Sequence, residues 1–262
     1  MSLIDAKSNP STKSELDLFA VPPTQVAIKR GFWEEIQPSN PVTNDGPYDF
    51  RIPPDPTYIQ LNKNYVYVQM VIKKPNVPAG VSIPKYAAIN LIGKTLFGQV
   101  KCWLNNKLAF DSSDKYAYKA FLETELNYGF DAKSSHLQSS LYFKESGTDV
   151  NTNDNDSFKN RAEFFKDDSI VEVTAPLHID IFSQDKYLLN YTDLKIELHR
   201  NSDPFVLQCF ENVDLKLEIL KIKLYLRKVE ILECQYGNRI CFKNEHRTIS
   251  NQKSSNDKHS GV

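Results

Sequence analysis

Between Val171 and Ile181 the apolar residues Val171, Val173, Ala175, Leu177, Ile179 and Ile181 alternate with Glu172, Thr174, His178 and Asp180. A period of two predicts a strand with one dry and one wet face. The same pattern returns with Leu194, Ile196 and Leu198 set against Asp193, Lys195, Glu197 and His199. Upstream, Val26 to Gln37 reads as a first strand, entered through Pro22-Pro23. Prolines then dominate residues 38 to 56, including Pro53, Pro54 and Pro56, and predict loop. In Tyr65 to Lys73, Val66, Val68, Met70 and Ile72 occupy one face and Tyr65 and Tyr67 the other, as in a strand covered on both sides.

After a loop over Lys74 to Pro84, Val100 to Phe110 reads as a hairpin turning at Asn105-Asn106, residues that tolerate the left-handed conformation. The period then changes. Tyr118, Phe121, Leu122 and Leu126 share a side of a predicted helix over Tyr116 to Tyr128, with Asp114 as its cap and Gly129 at its end. Ser135 and Gln138 are spaced as a capping box for a second short helix. Glu145 to Ser157 is polar and predicts a mobile loop. Leu215 to Leu232 contains no Gly, Pro, Asn or Asp, and its alternation slips near Leu220 and near Lys228. Each slip predicts a bulge or a bend between strands, and a single helix competes for the segment. About eight strands with long loops and one or two short helices inserted midway predict an all-β jelly-roll sandwich.

This pattern divides the chain into a flexible leader (residues 1–15), one jelly-roll domain (16–232) and a polar, disordered tail (233–262). Apolar residues make up 40% of the 262, enough for a substantial core. The net charge of -1 gives the whole chain no electrostatic reason to bind nucleic acid or an acidic membrane. No stretch approaches the roughly 20 apolar residues of a membrane span, and the polar start lacks a secretory signal, so an intracellular protein of the cytoplasm or nucleus is expected. Cys102, Cys209, Cys234 and Cys241 are too scattered for a disulfide framework and are expected to be reduced.

Candidate chemistry is sparse. His178-Ile179-Asp180 has the HxD spacing of a facial iron triad, the basis of a metal-dependent oxygenase reading. A third ligand is wanting: His199 follows too closely, and His246 lies in the tail. Both residues of the pair also occupy the polar phase of their strand. Asp149, Asn151 and Asn153 open like a calcium loop, but Asp154 and Asn160 stand where Gly and Glu are required. Cys234, Cys241 and His246 lack zinc-knuckle spacing. Lys216, Lys221, Lys223, Arg227 and Lys228, with Lys243 and Arg247, could form a basic patch diluted by Glu218 and Glu230. Phe32, Trp33, Tyr65, Tyr67 and Trp103 could form stacking platforms, although packing explains such residues more simply. GxSxG, HExxH and the phosphate-binding P-loop are all missing, so no catalytic, cofactor-binding or metal residue is nominated.

Ser14–Gln25 (SELDLFAVPPTQ), Gly31, Trp33, Asn90–Val100 (NLIGKTLFGQV), Tyr116–Gly129 (YAYKAFLETELNYG) and Asp131 to Lys133 resemble the major capsid protein of Polinton (Maverick) elements and related adintoviruses. The resemblance runs from Ser14 to Ile231. It implies the first roll of a double jelly-roll capsid subunit that trimerises into pseudo-hexagonal capsomers, with other capsid proteins as partners and a virion as destination. It implies neither a small-molecule substrate nor specific nucleic-acid binding. Family members continue into a second roll after a segment similar to Leu226–Ile231, whereas this chain ends at Val262, which suggests a truncated copy. The alternative is a host-adopted jelly-roll module that binds a protein or glycan.

Overall fold

The computed structural model describes residues 28–74, 86–145, 152, 155–210 and 214–231. Among the described residues, ten strands form two four-stranded antiparallel sheets and a two-stranded ribbon. The first sheet is ordered β1 (Ile28–Ile36), β10 (Lys216–Ile231), β3 (Tyr58–Lys73), β7 (Val171–Ala175). The second is β2 (Tyr48–Ile52), β8 (Leu194–Arg200), β5 (Phe97–Leu104), β6 (Lys107–Asp111). Counting the sandwich strands alone in chain order, the sheets read 1-8-3-6 and 2-7-4-5. Each strand early in the chain pairs with one late in the chain, which is the nested Greek-key order of a jelly roll. The ribbon pairs β4 (Tyr86–Ala88) with β9 (Leu207–Cys209).

The core lies between the sheets. Val66, Val68, Met70, Ile72, Leu217, Ile222, Leu224 and Leu226 from one sheet meet Tyr48, Phe50, Ile52, Val100, Leu194, Ile196 and Leu198 from the other, all at most 2% exposed. Each such large apolar side chain contributes roughly 1.5–3 kcal/mol relative to exposure. The slips foreseen in the last strand are register irregularities within one continuous β10, between Ile219 and Lys221 and between Leu226 and Arg227. The helical alternative for this segment is thereby replaced by a bulged strand. The turn at Asn105 (φ 49°) and Asn106 (φ 64°) joins β5 to β6 as expected.

Other expectations need correction. The proline-dense stretch contains β2, whose Tyr48, Phe50 and Ile52 point inward between Pro47 and Pro53, so the prolines frame a short strand. The long alternating segment leaves the ladder at Ala175, because Pro176 has no N–H to donate. Burial nevertheless continues to alternate through Leu177 and Ile179. Outside the ladder, Asn64 Oδ1 accepts from the Leu177 N–H at 2.9 Å and Tyr116 Oη accepts from the His178 N–H at 3.0 Å. Residues Asp180–Ser183 then form a 3-10 turn. β3 is longer than expected, and Tyr65 and Tyr67 on its outer face are only partly covered.

The helices also differ. Asp114 does not cap α2 (Tyr116–Asn127), and Gly129 instead precedes α3 (Phe130–Lys133). The Ser135–Gln138 capping box does not form: the Ser135 hydroxyl donates to Asp131 O, and the segment is a 3-10 turn, His136–Ser140. Asp156 and Ser157, expected in the polar loop, belong to a helix. Asn155 Oδ1 accepts from the Ser157 and Phe158 N–H groups and caps α4 (Asp156–Phe164). Arg161 of α4 is 2% exposed and donates to Ser157 Oγ at 3.0 Å and to Gln208 Oε1 at 3.0 Å, fixing the helix to β9. Two short helices, α1 (Ile92–Thr95) and α5 (Asp203–Val206), complete the fold.

Candidate functional site

Two of the sequence blocks that carry the family resemblance meet in space. Asn90 begins the first, its side chain donating to Phe143 O at 2.6 Å and accepting from the Phe143 N–H at 2.9 Å. Leu91 takes a left-handed conformation (φ 61°), and the chain turns into α1. A Cβ on Gly93 would lie 3.1 Å from Ala175 Cβ and 3.2 Å from Ser140, so a larger residue here would require these neighbours to give by a few tenths of an ångström. Lys94 follows, 1% exposed, and its ammonium donates to Thr124 Oγ1 of the second block at 2.9 Å and lies 5.4 Å from the Tyr128 ring centroid. Among the described residues no carboxylate pairs with it directly. Burial pushes Lys94 down to about 8, with Glu123 opposing.

His178 meets α2 one residue away, at Glu123. Its Nδ1 is 2.7 Å from Glu123 Oε2, the arrangement of an Nδ1–H donated to the carboxylate, and its buried Nε2 has no hydrogen-bond partner among the described residues. Burial and then the field of Lys94 hold the imidazole below its ordinary value, against the pull of Glu123. Asp180 instead pairs with Lys119 at 2.5 Å. His178 and Asp180 therefore serve different partners. Among the described residues, no group of three or more His, Cys, Asp or Glu is placed to hold a metal. The cluster anchors α2 to the sandwich through α1 and the segment after β7.

The outer face of the first sheet gathers most of the sequence-nominated aromatic and basic residues. Cross-strand register aligns Glu35, Tyr225 and Tyr65, and places Lys223 beside Tyr67 and Arg227 beside Trp33. Tyr65 and Tyr225 stack at 4.7 Å, and Trp33 tilts against Tyr65 at 5.2 Å. The rings cover one another, which leaves Trp33 45% exposed as the open member. Phe32 and Trp103 do not join them: Phe32 lies under Arg30 and Trp103 under Lys195 on the other sheet.

Two members of the expected basic patch are neutralised. Lys223 pairs with Glu35 at 2.5 Å, and Lys228 is inserted between Glu34, at 2.6 Å, and Asp55. Tyr225, which sequence reasoning left out, donates its hydroxyl to Glu35 Oε2 at 2.7 Å. It could have been found from its place in the outward phase of the last strand.

Cys102 is buried and Cys209 partly so, both as free thiols, and burial pushes Cys102 up to about 12. Cys234, Cys241, His246, Lys243 and Arg247, and the residues Asp149, Asn151, Asn153 and Asp154 of the calcium-like loop, lie outside the described residues. Asn160 falls within α4. No helix among the described residues is long and apolar enough to cross a membrane.

No family model matches the chain. A Caenorhabditis elegans protein, Uncharacterized protein F54H12.2, is 27% identical over 214 residues, covering 78% of this chain and 49% of that protein, so the chain spans about half the length of the curated relative it matches. Among solved structures, the fold is similar to a chain of the Sputnik virophage determined by cryo-electron microscopy, with a TM-score of 0.58, 12% identity and coverage of 91% of this chain and 55% of that one. The mavirus major capsid protein aligns with a TM-score of 0.49, 13% identity and the same two coverages, 91% and 55%. These likenesses show the fold, a jelly roll.

Proposed function

We propose that this chain is a capsid-type building block that acts by associating with copies of itself, and that it corresponds to the first roll of a Polinton-like double jelly-roll subunit. The observation that carries the reading is the eight-strand jelly-roll order, superposable over 91% of the chain on a virophage chain. The sequence blocks of the resemblance support it further, since they build one structural joint, the α1–α2–β7 anchor, through Gly93, Lys94 and Thr124. A share of 55% of the neighbour's length fits one roll of a two-roll subunit. In this reading function resides in surfaces repeated under symmetry, and a trimer is the expected first assembly.

Sedimentation velocity across a wide concentration range, with negative-stain electron microscopy of the same samples, tests it. The expected result is concentration-dependent association into trimers or larger rings and shells. A monodisperse monomer at the highest concentration reached would overturn the proposal.

A further inference from the structure

α2 buries little apolar bulk for its length. Of its buried side chains, Tyr116, Ala117, Ala120 and Thr124, only the first is large. Tyr118, Leu122 and Leu126 are 60%, 57% and 82% exposed while the helix is docked, so releasing it costs little burial at these positions. Phe121 packs beside Leu91, Leu137 and Tyr142, and Tyr118 makes an edge contact with Phe205 at 5.8 Å between centroids. Polar fastenings join α2 to α1 and to the segment after β7. Tyr116 Oη accepts from the His178 N–H at 3.0 Å, and Glu123 Oε2 meets His178 Nδ1 at 2.7 Å. Lys94 Nζ donates to Thr124 Oγ1 at 2.9 Å, and Lys119 pairs with Asp180 at 2.5 Å. Two of these contacts run to His178. An element with little buried apolar surface, fastened at a few polar points, is where a fold opens at least cost.

The geometry suits a neutral His178. With Nδ1–H given to Glu123, Nε2 presents a lone pair that is buried and has no hydrogen-bond partner among the described residues. A proton on Nε2 would bury an N–H without an acceptor and set a second cation near Lys94, itself 1% exposed. The charged groups acting on the imidazole are Lys94 from α1 and Glu123 and Lys119 from α2. Asp180, two residues along its own segment, is turned to Lys119, and the hydroxyl of Tyr116 meets the His178 backbone. Behind Lys94 stand Tyr128 and, against that ring, His136. Lys94 and Lys119 balance Glu123 and Asp180 while His178 is neutral, and a proton on the imidazole leaves the group with an uncompensated positive charge. Glu123 attracts that proton, but burial and then Lys94 outweigh it and hold the imidazole below its ordinary 6.5. The docked helix therefore takes the proton less readily than the released one, and docking loses stability as pH falls below 6.5.

We propose that His178 is the trigger of a pH-operated latch: its protonation frees α2 from α1 and from the segment after β7, while the two sheets stay packed. The latch does not depend on the self-association reading. Hydrogen–deuterium exchange mass spectrometry of the full chain tests it at about pH 7 and about pH 5.5, a window above the ordinary carboxylate range in which imidazoles are the side chains that change charge most. After correction for intrinsic exchange rates, wild-type protection across Tyr116–Asn127 is expected to fall at least about threefold on acidification, while that of β5 and β10 holds. His178→Gln stays neutral and should protect α2 equally at both pH values. Lys94→Met removes the neighbouring cation, so its loss of protection should be smaller than in wild type. His136→Gln, altered at the ring that lies against Tyr128, should behave as wild type. Unchanged wild-type protection in α2 overturns the latch, as does an equal loss in His178→Gln or a loss shared by β5 and β10. Should His178→Gln fail to fold, the His178 midpoint followed by NMR in the wild type decides. A midpoint at or above 6.5 overturns the latch, and one below 6.5 together with a smaller loss in Lys94→Met supports it.

Discussion

Lys94 shows how one residue can be fixed by packing at an electrostatic cost. Its lowered value is that of a cation whose proton is disfavoured by folding, so below pH 8 the chain bears the full penalty, on the order of 3 kcal/mol for the shift from 10.5 to about 8. Between pH 8 and 10.5 the unfolded chain binds more protons at this position, and stability rises with pH on its account. Lys94→Met keeps the length and removes the charge. The variant is expected to be more stable than wild type at pH 7 by about 1–3 kcal/mol, with the difference shrinking toward pH 10.5, as measured by denaturant unfolding at each pH. The same substitution should raise the His178 titration midpoint followed by NMR, because Lys94 is among the causes that lower it. An unchanged midpoint would mean that Lys94 does not act on the imidazole.

Elements here are set by a few stereochemical choices. The β5–β6 hairpin depends on two residues of positive φ, and Asn106, at 64°, has no Cβ-branched substitute that tolerates that conformation. Asn106→Val should cost roughly 1–2 kcal/mol by thermal or chemical unfolding, and Asn106→Gly should remain within about 0.5 kcal/mol of wild type. A Val variant as stable as the Gly variant would show that the turn rearranges freely. β7 ends where Pro176 removes a donor, yet its continuation stays docked through Asn64 and Tyr116. α2 shows the opposite relation between pattern and packing: Tyr118, Leu122 and Leu126 face outward, and its buried face is Tyr116, Ala117, Ala120 and Thr124, the last meeting Lys94 of α1.

At the scale of the whole molecule, charge pairs join strands distant in sequence. Lys228 on β10 reaches Glu34 on β1 and Asp55 before β3. Burial would raise the Asp55 carboxyl, but hydrogen bonds from Lys228 and Thr57 outweigh it and hold it below 3.8. Glu197 is likewise held below 4.5, where burial opposes and His199 and Lys195 prevail. Carboxylates with depressed folded values contribute stability that is present above their unfolded values of 3.8 and 4.5 and is lost as pH falls through the folded ones. Unfolding midpoints should therefore fall steeply below about pH 4.5, and Lys228→Met should flatten part of that slope. A slope identical in the variant would assign the acid sensitivity to other carboxylates. The jelly-roll order itself, with early strands paired to late ones, makes these links between distant segments unavoidable.

Period and stereochemistry were legible from the residues alone: the alternation of Leu194, Ile196 and Leu198, the Asn105-Asn106 turn, and the phase slips that became the bulges of β10. Each is a local property, because a side chain's face follows from its own position in the strand. The end of the ladder at Pro176, the strand hidden among prolines at Tyr48–Ile52 and the outward row of α2 were decided by tertiary structure. Which face of a helix is buried depends on what stands beside it, and here Lys94 comes to Thr124 from another part of the chain. The surfaces left over by that choice are a property of the folded whole, so no window of sequence contains them.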